Sequence, residues 1–406
     1  MQFSYRARVI SGLTIVFLAT FLLSGCFHRE EIEIPAASDR QSQHDTGLGP
    51  GASPISYGLG EKGSPTWSPS GDRIAFTMDG YVIEKDPFSQ DFERRTTKDF
   101  ETRAVAWTAS GDGLVILGAD SGSSASSPDS SDDSLGVYKT VEDGGSLEIS
   151  RVRNGVQAMA AGPPDAGWIL LAIDSGDAKS RLALMESGGD VQTYDAEIEG
   201  KVAGISVSPD GNEAVLAVRD EASGRFEIHT FSFPEGNFRQ VAKLGEGLEV
   251  FGDPQWTSQG IYYVAGEQVE AGSGDASPFD LYRIPRDSSA PEAAPGIGND
   301  FVASNLKRDP LGDRLAIIGR RNSSSTDNLY ILDLGSERLD AVTSNEDMEI
   351  RTGTEDLTWS PNGNSVIIVA RTVLSEPKVY SAPADTLVTD FYNLYTVPTT
   401  EIADGG

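Results

Sequence analysis

Three histidines, one cysteine and 62 acidic side chains are the groups that acid–base, nucleophilic or metal chemistry would draw on in this 406-residue chain. Such chemistry needs its groups brought within a few ångströms of one another. The histidines are scattered: His28 and His44 lie near the N-terminus, and His229 sits in the strand-like run Glu227-Ile228-His229-Thr230. They do not converge, so no metal or other cofactor is expected. No G-x-S-x-G elbow occurs, so there is no sign of a serine nucleophile on a strand-to-helix turn. Asp129, Asp132 and Asp133 cluster, but without the glycine and the twelfth-position glutamate of an EF-hand loop. A pair of carboxyls at glycosidase separation is not legible in a sequence. No catalytic residue is assigned, and the chain is expected not to be an enzyme. The alternative is a hydrolase or lyase with an unrecognised acidic site.

The lone thiol, Cys26, follows a basic start (Arg6, Arg8), an apolar run from Val9 to Leu23, and Ser24-Gly25. That order is the layout of a secretory signal, and the run is short for a membrane span. Leu23-Ser24-Gly25-Cys26 resembles a bacterial lipobox. The resemblance implies cleavage between Gly25 and Cys26, lipidation of Cys26, and anchorage to a membrane, the outer one in a Gram-negative cell. Residues 1–25 are then signal peptide and 26–53 an acidic flexible tether. One cysteine allows no internal disulfide.

Acidic side chains outnumber the 32 basic ones, for a net charge of -30, or -32 once Arg6 and Arg8 leave with the signal. Such a surface repels phosphate backbones, so nucleic acid is not an expected partner.

The elements that must position any chemistry come as a repeat. Trp67-Ser68-Pro69-Ser70-Gly71-Asp72-Arg73-Ile74-Ala75-Phe76 is its clearest copy, and other copies start their turns at Thr108, Gly162, Ser208, Thr257, Asp309 and Ser360. The intervals are 40, 54, 46, 49, 52 and 51 residues. Pro presets the backbone of such a turn and Gly suits its last position. The residues marking the turns are Trp67, Pro69, Gly71, Trp107, Gly111, Pro209, Gly211, Trp256, Pro310, Gly312, Trp359, Pro361 and Gly363. The runs after the turns, such as Ala214–Val218 and Leu315–Ile318, are apolar at nearly every position, as in strands buried on both faces. A unit of this length that cannot bury its own faces must stack on its neighbours.

The repeat resembles the TolB-like, WD-like propeller repeat. The resemblance covers nearly all of 54–406 and implies an all-β, seven-bladed β-propeller of four-stranded antiparallel blades, six or eight blades being the alternatives. It lacks the α/β domain that precedes the propeller in TolB. Some pectin-degrading lyases resemble the same repeat but use a histidine cluster around a metal, which is missing here. Closure is expected from Ile55–Tyr57 serving as the outer strand of the last blade.

The hairpins between second and third strands, at 119–136, 174–180, 219–225, 265–279 and 319–327, all open on one face. They are expected to carry a protein partner. The resulting expectation is a monomeric, lipid-anchored, extracytoplasmic propeller acting as a binding or assembly scaffold in the cell envelope. A glycan- or peptide-binding accessory lipoprotein is a further alternative.

Overall fold

Each repeat folds as one sheet. The computed structural model describes residues 48–399 apart from 50, 57–59, 90, 97–99, 121–134, 144–145, 164–165, 268–278, 323, 325, 346–347 and 381–385. Chain contacts separate Met1–Ile34 from Pro35–Gly406, and everything below concerns the second unit. Among the described residues there are seven four-stranded antiparallel sheets and no helix. The seven-bladed propeller expected from the repeat is therefore present.

The innermost strands of blades one to seven are Lys62–Trp67, Phe100–Trp107, Val156–Ala161, Lys201–Val207, Leu248–Thr257, Phe301–Arg308 and Leu357–Trp359. Each touches the next, and the last touches the first, so the sheets close into a ring around a channel. Closure comes slightly earlier in the chain than expected. Ser53–Pro54, rather than Ile55–Tyr57, pairs with Thr396 and Tyr395, and Ile55 adds a backbone bond to Leu394 (3.0 Å). Tyr57 lies outside the described residues. Lys85, in the third strand of blade one, donates from Nζ to the Ile55 carbonyl at 2.9 Å, tying the first blade to this closing segment.

The second strands are the buried ones. Ala214 to Val218 and Leu315 to Gly319 are buried at every position. They fill cores that lie between successive blades: Leu170, Leu182, Leu216 and Phe231 between blades three and four, and Ala316, Ile318, Trp359 and Ile368 between six and seven. Burying such side chains stabilises the stack by roughly 1.5–3 kcal/mol each.

One expected loop is not a loop. Residues 174–180 are strand up to Gly176 and again from Lys179, joined by Asp177 and Ala178 at φ of 52° and 57°. Two successive residues in this region make the tight hairpin turn whose twist suits flanking strands. In blade seven the same face carries a long hairpin, Ser365–Tyr380 paired with Thr386–Pro398.

The innermost strands share a defect. In blades one to six the pairing with the second strand slips, at Gly63/Thr66, Thr102/Ala104, Val156/Ala158, Val202/Gly204, Phe251/Gln255 and Ala303/Asn305. A bulge leaves backbone groups without a ladder partner. At the centre of a propeller those groups face the channel or the neighbouring blade and require side-chain partners.

Candidate functional site in the central channel

The turns hold the ring together on one face. In blades one, two, four, six and seven the glycine N–H donates back to the first turn residue, as Gly71 to Ser68 at 2.9 Å and Gly211 to Ser208 at 3.0 Å. Gly71, Gly111, Gly211, Gly312 and Gly363 sit at φ of 70–84°, which excludes most other residues. A Cβ on Gly111 would meet Pro69 Cδ at 3.4 Å, and one on Gly312 would meet Pro209 Cγ at 3.2 Å. Trp107 donates from Nε1 to the Thr66 carbonyl of blade one (3.2 Å), and Trp359 does the same to Lys307 of blade six (2.9 Å). Trp256 is buried between blades four and five. The turn and tryptophan residues thus join blade to blade. Pro310 and Pro361, with Trp67 and Trp107, also line a shallow basin of about 180 Å³ at the turn-face mouth of the channel.

Below the basin lies a cavity of about 240 Å³. Blades one to three line it with Pro65, Thr66, Ala104, Val105, Ala106, Met159 and Ala160. Blades five to seven line it with Asp253, Gln255, Lys307, Arg308 and Glu355. One side of the channel is small and mostly apolar, and the other is charged.

The polar groups answer to the bulges. Asp253 accepts the N–H of Ile205, in blade four, at 3.0 Å. Asp356 accepts the N–H of Ser64, in blade one, at 3.2 Å, and Gln157 accepts that of Val202 at 3.0 Å. Asn305 donates to the Gly353 carbonyl at 2.7 Å, and the Gln255 side chain accepts the N–H of Arg308 at 3.2 Å. Gly204 leaves the room Asp253 needs, since a Cβ there would come 2.7 Å from the Gly252 carbonyl and 3.1 Å from Asp253 Oδ1.

Two cations complete the cluster. Lys307 Nζ lies 3.4 Å from Asp253 Oδ2. Arg308 donates from Nη2 to the Val207 carbonyl at 3.3 Å, while its buried Nη1 has no partner among the described residues. Glu355 differs from its neighbours. Asp253 and Asp356 each hold a backbone N–H, and Asp356 also pairs with Arg351 at 3.3 Å. Glu355 has no hydrogen-bond donor among the described residues, only the charges around it.

The electrostatics follow. Burial pushes the Glu355 carboxyl above the ordinary carboxylate range, Lys307 pulls it down by less, and the negative charges of Asp253 and Asp356 push it further up. Burial pulls Lys307 down, but Glu355 and Asp253 outweigh it and hold the ammonium above its usual value. Burial also raises Asp356, against Arg351 and the Ser64 N–H. Lys307 is therefore the resident cation, and Glu355 is a carboxyl whose surroundings favour uptake of a proton. A carboxyl poised in this way beside a fixed cation is suited to proton transfer.

Sequence reasoning did not find this cluster. Asp253, Lys307 and Glu355 come one from each of three successive blades, about fifty residues apart. The signal was present in the repeat alignment. Two places before each turn the chain carries Thr66, Ala106, Ala160, Ser206, Gln255, Lys307 and Thr358, and the lysine stands out in a column of small or neutral residues.

The other residues singled out from the sequence are elsewhere. His229 lies in the third strand of blade four, away from the channel, with Nε2 2.9 Å from Glu227. Burial, opposed by Glu227, lowers its pKa. Gly25, Cys26, His28, His44 and the Asp129, Asp132 and Asp133 cluster lie outside the described residues. Among the described residues no three His, Cys, Asp or Glu side chains stand close enough to hold a metal ion.

No protein-family profile and no curated protein matches the sequence. Solved structures do. An oligogalacturonate lyase from Vibrio parahaemolyticus is 12% identical with a TM-score of 0.55, over 88% of this chain and 95% of that one. A prolyl endopeptidase structure is 10% identical with a TM-score of 0.53, over 96% of this chain and 56% of its own. TolB from Acinetobacter baumannii is 13% identical with a TM-score of 0.40, over 83% of this chain and 79% of that one.

The likenesses to the lyase and the endopeptidase support the propeller fold and correct one expectation. The chain was expected not to be an enzyme, yet the structures it resembles include a lyase and, over 56% of its length, an endopeptidase. The expectation rested on missing local motifs. A site assembled from one residue per blade leaves no such motif.

Proposed function

We propose that this protein is an enzyme of the hydrolase or lyase class that works on a small carboxylate-bearing substrate in the propeller channel. Lys307 and Arg308 hold the carboxylate, and Glu355 moves a proton to or from the bond that breaks. The observation that carries the reading is Glu355, a carboxyl with a raised pKa beside a resident ammonium in a cavity continuous with the turn-face basin. The cavity is smaller than ordinary small-molecule sites of roughly 300–1,000 Å³, which favours one end or one ring of a substrate over a macromolecule. Asp253 supports the lysine and is committed to the Ile205 N–H. The likeness to a lyase and an endopeptidase supports a bond-breaking class and does not choose the substrate.

The test is turnover of two panels, oligogalacturonates and short peptides with a free carboxyl end, by the purified chain and by Glu355→Gln. Loss of a general acid–base group removes roughly 10²–10⁴-fold of the rate. Turnover on neither panel, or equal turnover by the variant, ends the reading.

The reading retains an envelope location. Lipidation at Cys26 is the part to check, by labelling with a fatty-acid analogue and its loss in Cys26→Ser. A protein partner on the long-hairpin face is compatible with it, supported by the projecting hairpin of blade seven.

A further inference from the structure

We infer that the ligand of the Lys307 layer reaches it through the turn face, as a single carboxylate at the end of an apolar chain. This rests on the channel being the functional site, as proposed above, and adds the direction and the shape of what enters it.

The charges in the channel are ordered along its axis. Counting back from the first residue of each turn, Arg308 is one place away, Lys307 and Gln255 two, Asp253 four and Glu355 five. The cationic layer is therefore nearer the turn face, and the carboxylates lie deeper, toward the hairpin face. An anion arriving from the hairpin side must pass the level of Asp356, Glu355 and Asp253 before it reaches Lys307 and Arg308, and Arg351 at that level is paired with Asp356. An anion arriving from the turn side meets Arg308 and Lys307 first. In a protein of net charge -30, the turn-side route brings a carboxylate to the cations without first crossing the layer of carboxylates.

The basin above the cations defines the rest of the ligand. Thr66, Ala106, Ala161 and Thr358 belong to the walls of both the basin and the cavity, so the two are continuous. The basin contains prolines and tryptophans and no charged side chain. A charged or heavily hydroxylated body would lose hydration there without gaining partners. An apolar body gains burial instead. Both a peptide ending in an apolar residue and an aliphatic acid have this chemistry.

The experiment measures binding on the full chain and on Glu355→Gln. Binding is thereby read separately from turnover. The probes are octanoate and N-acetyl-alanyl-leucine, each beside its primary amide, and acetate as the head without a chain. At least one long acid should bind saturably, with its amide and acetate at least tenfold weaker. Which acid binds identifies the source. The route is read from association rates: Ala109→Glu, at the rim of the basin, should slow the acid at least threefold and Ala109→Arg should speed it. Thr352→Glu and Thr352→Arg, exposed on the opposite face, should do neither. Melting curves confirm that the variants fold. No binding by either acid, an amide equal to its acid, or a rate that responds at Thr352 and not at Ala109 overturns the inference. Binding as expected without turnover would leave it standing and end the enzyme reading alone.

Discussion

Gly71 leans on Pro361: a Cβ added to the glycine would lie 3.6 Å from the proline ring. The first turn of the ring thus rests on the last, as Gly111 rests on Pro69 within the chain. The contact is joined by arginines one turn on. Arg73 donates to the Gly111 carbonyl and lies over the Trp107 ring at 4.7 Å. Arg314 repeats this with Gly363 (2.7 Å) and Trp359 (4.9 Å).

Gly71→Ala forces an L side chain to φ of +75°, which costs roughly 1–2 kcal/mol. Gly188 has open space and no positive φ, so Gly188→Ala should cost far less. Denaturant melts of the two variants decide the point; equal midpoints would mean that the turn does not require its glycine.

Removing residues 1–56 should destabilise the ring more than any single turn variant. The cut takes away the outer strand of the last blade, the buried side chains of Leu48 and Ile55, and the carbonyl that Lys85 uses. Thermal denaturation and limited proteolysis of blade seven report the effect. An unchanged melting point would show that closure does not depend on this segment.

Two buried lysines predict the alkaline side of the stability profile. Burial lowers Lys62 to about 7 and Lys85 to about 8, against nearby acids that raise them. The unfolded chain keeps its lysines protonated up to their ordinary pKa near 10.5. Between about 7 and 10.5 the unfolded state therefore binds more protons, and stability should rise with pH. Lys62→Met should flatten that slope. A slope of the opposite sign in denaturant melts from pH 7 to 10 would contradict the assignment.

How much of this was legible in the chain depends on distance. Trp67-Ser68-Pro69-Ser70-Gly71 writes its own turn within a few residues, so recurrence gave seven blades. The doubly buried second strands were readable because Ala214–Val218 is apolar at every place, whatever surrounds it. The channel was not readable. Asp253 owes its position to the bulge in blade five, Lys307 to the pleat of blade six, and Glu355 to the approach into blade seven. Alternation and turn chemistry carry no information about which residues from three blades face one another. Ser53–Pro54 was placed two residues late for a similar reason: its partner strand is more than 300 residues away, and nothing local fixes the register.

Asp253 serves both the fold and the channel, and two substitutions separate the roles. Asp253→Asn keeps an acceptor for the Ile205 N–H and removes the charge beside Lys307. Asp253→Ala leaves the N–H unmet as well, a further cost of about 1–3 kcal/mol. Melts should therefore rank wild type, Asn and Ala in that order. Equal loss in both variants would place the whole contribution in the charge.

The last prediction concerns signs. Glu355 has no donor and is destabilised by burial, so above its raised pKa its ionised form weakens the fold. Between the ordinary carboxylate pKa and that raised value, the folded state binds more protons than the unfolded one, and the group's contribution falls as pH rises. Glu355→Gln removes that liability and should stabilise the protein at neutral pH. Lys307→Met does the reverse, because Asp253 and Glu355 then face the cavity without their cation. Removing one member of a half-buried charge cluster leaves the others without compensation. The two variants should move the melting temperature in opposite directions, and the double variant should recover part of the lysine loss. If both single changes destabilise equally, ionised Glu355 supports the fold rather than weakening it, and the acid–base role given to Glu355 loses its physical basis.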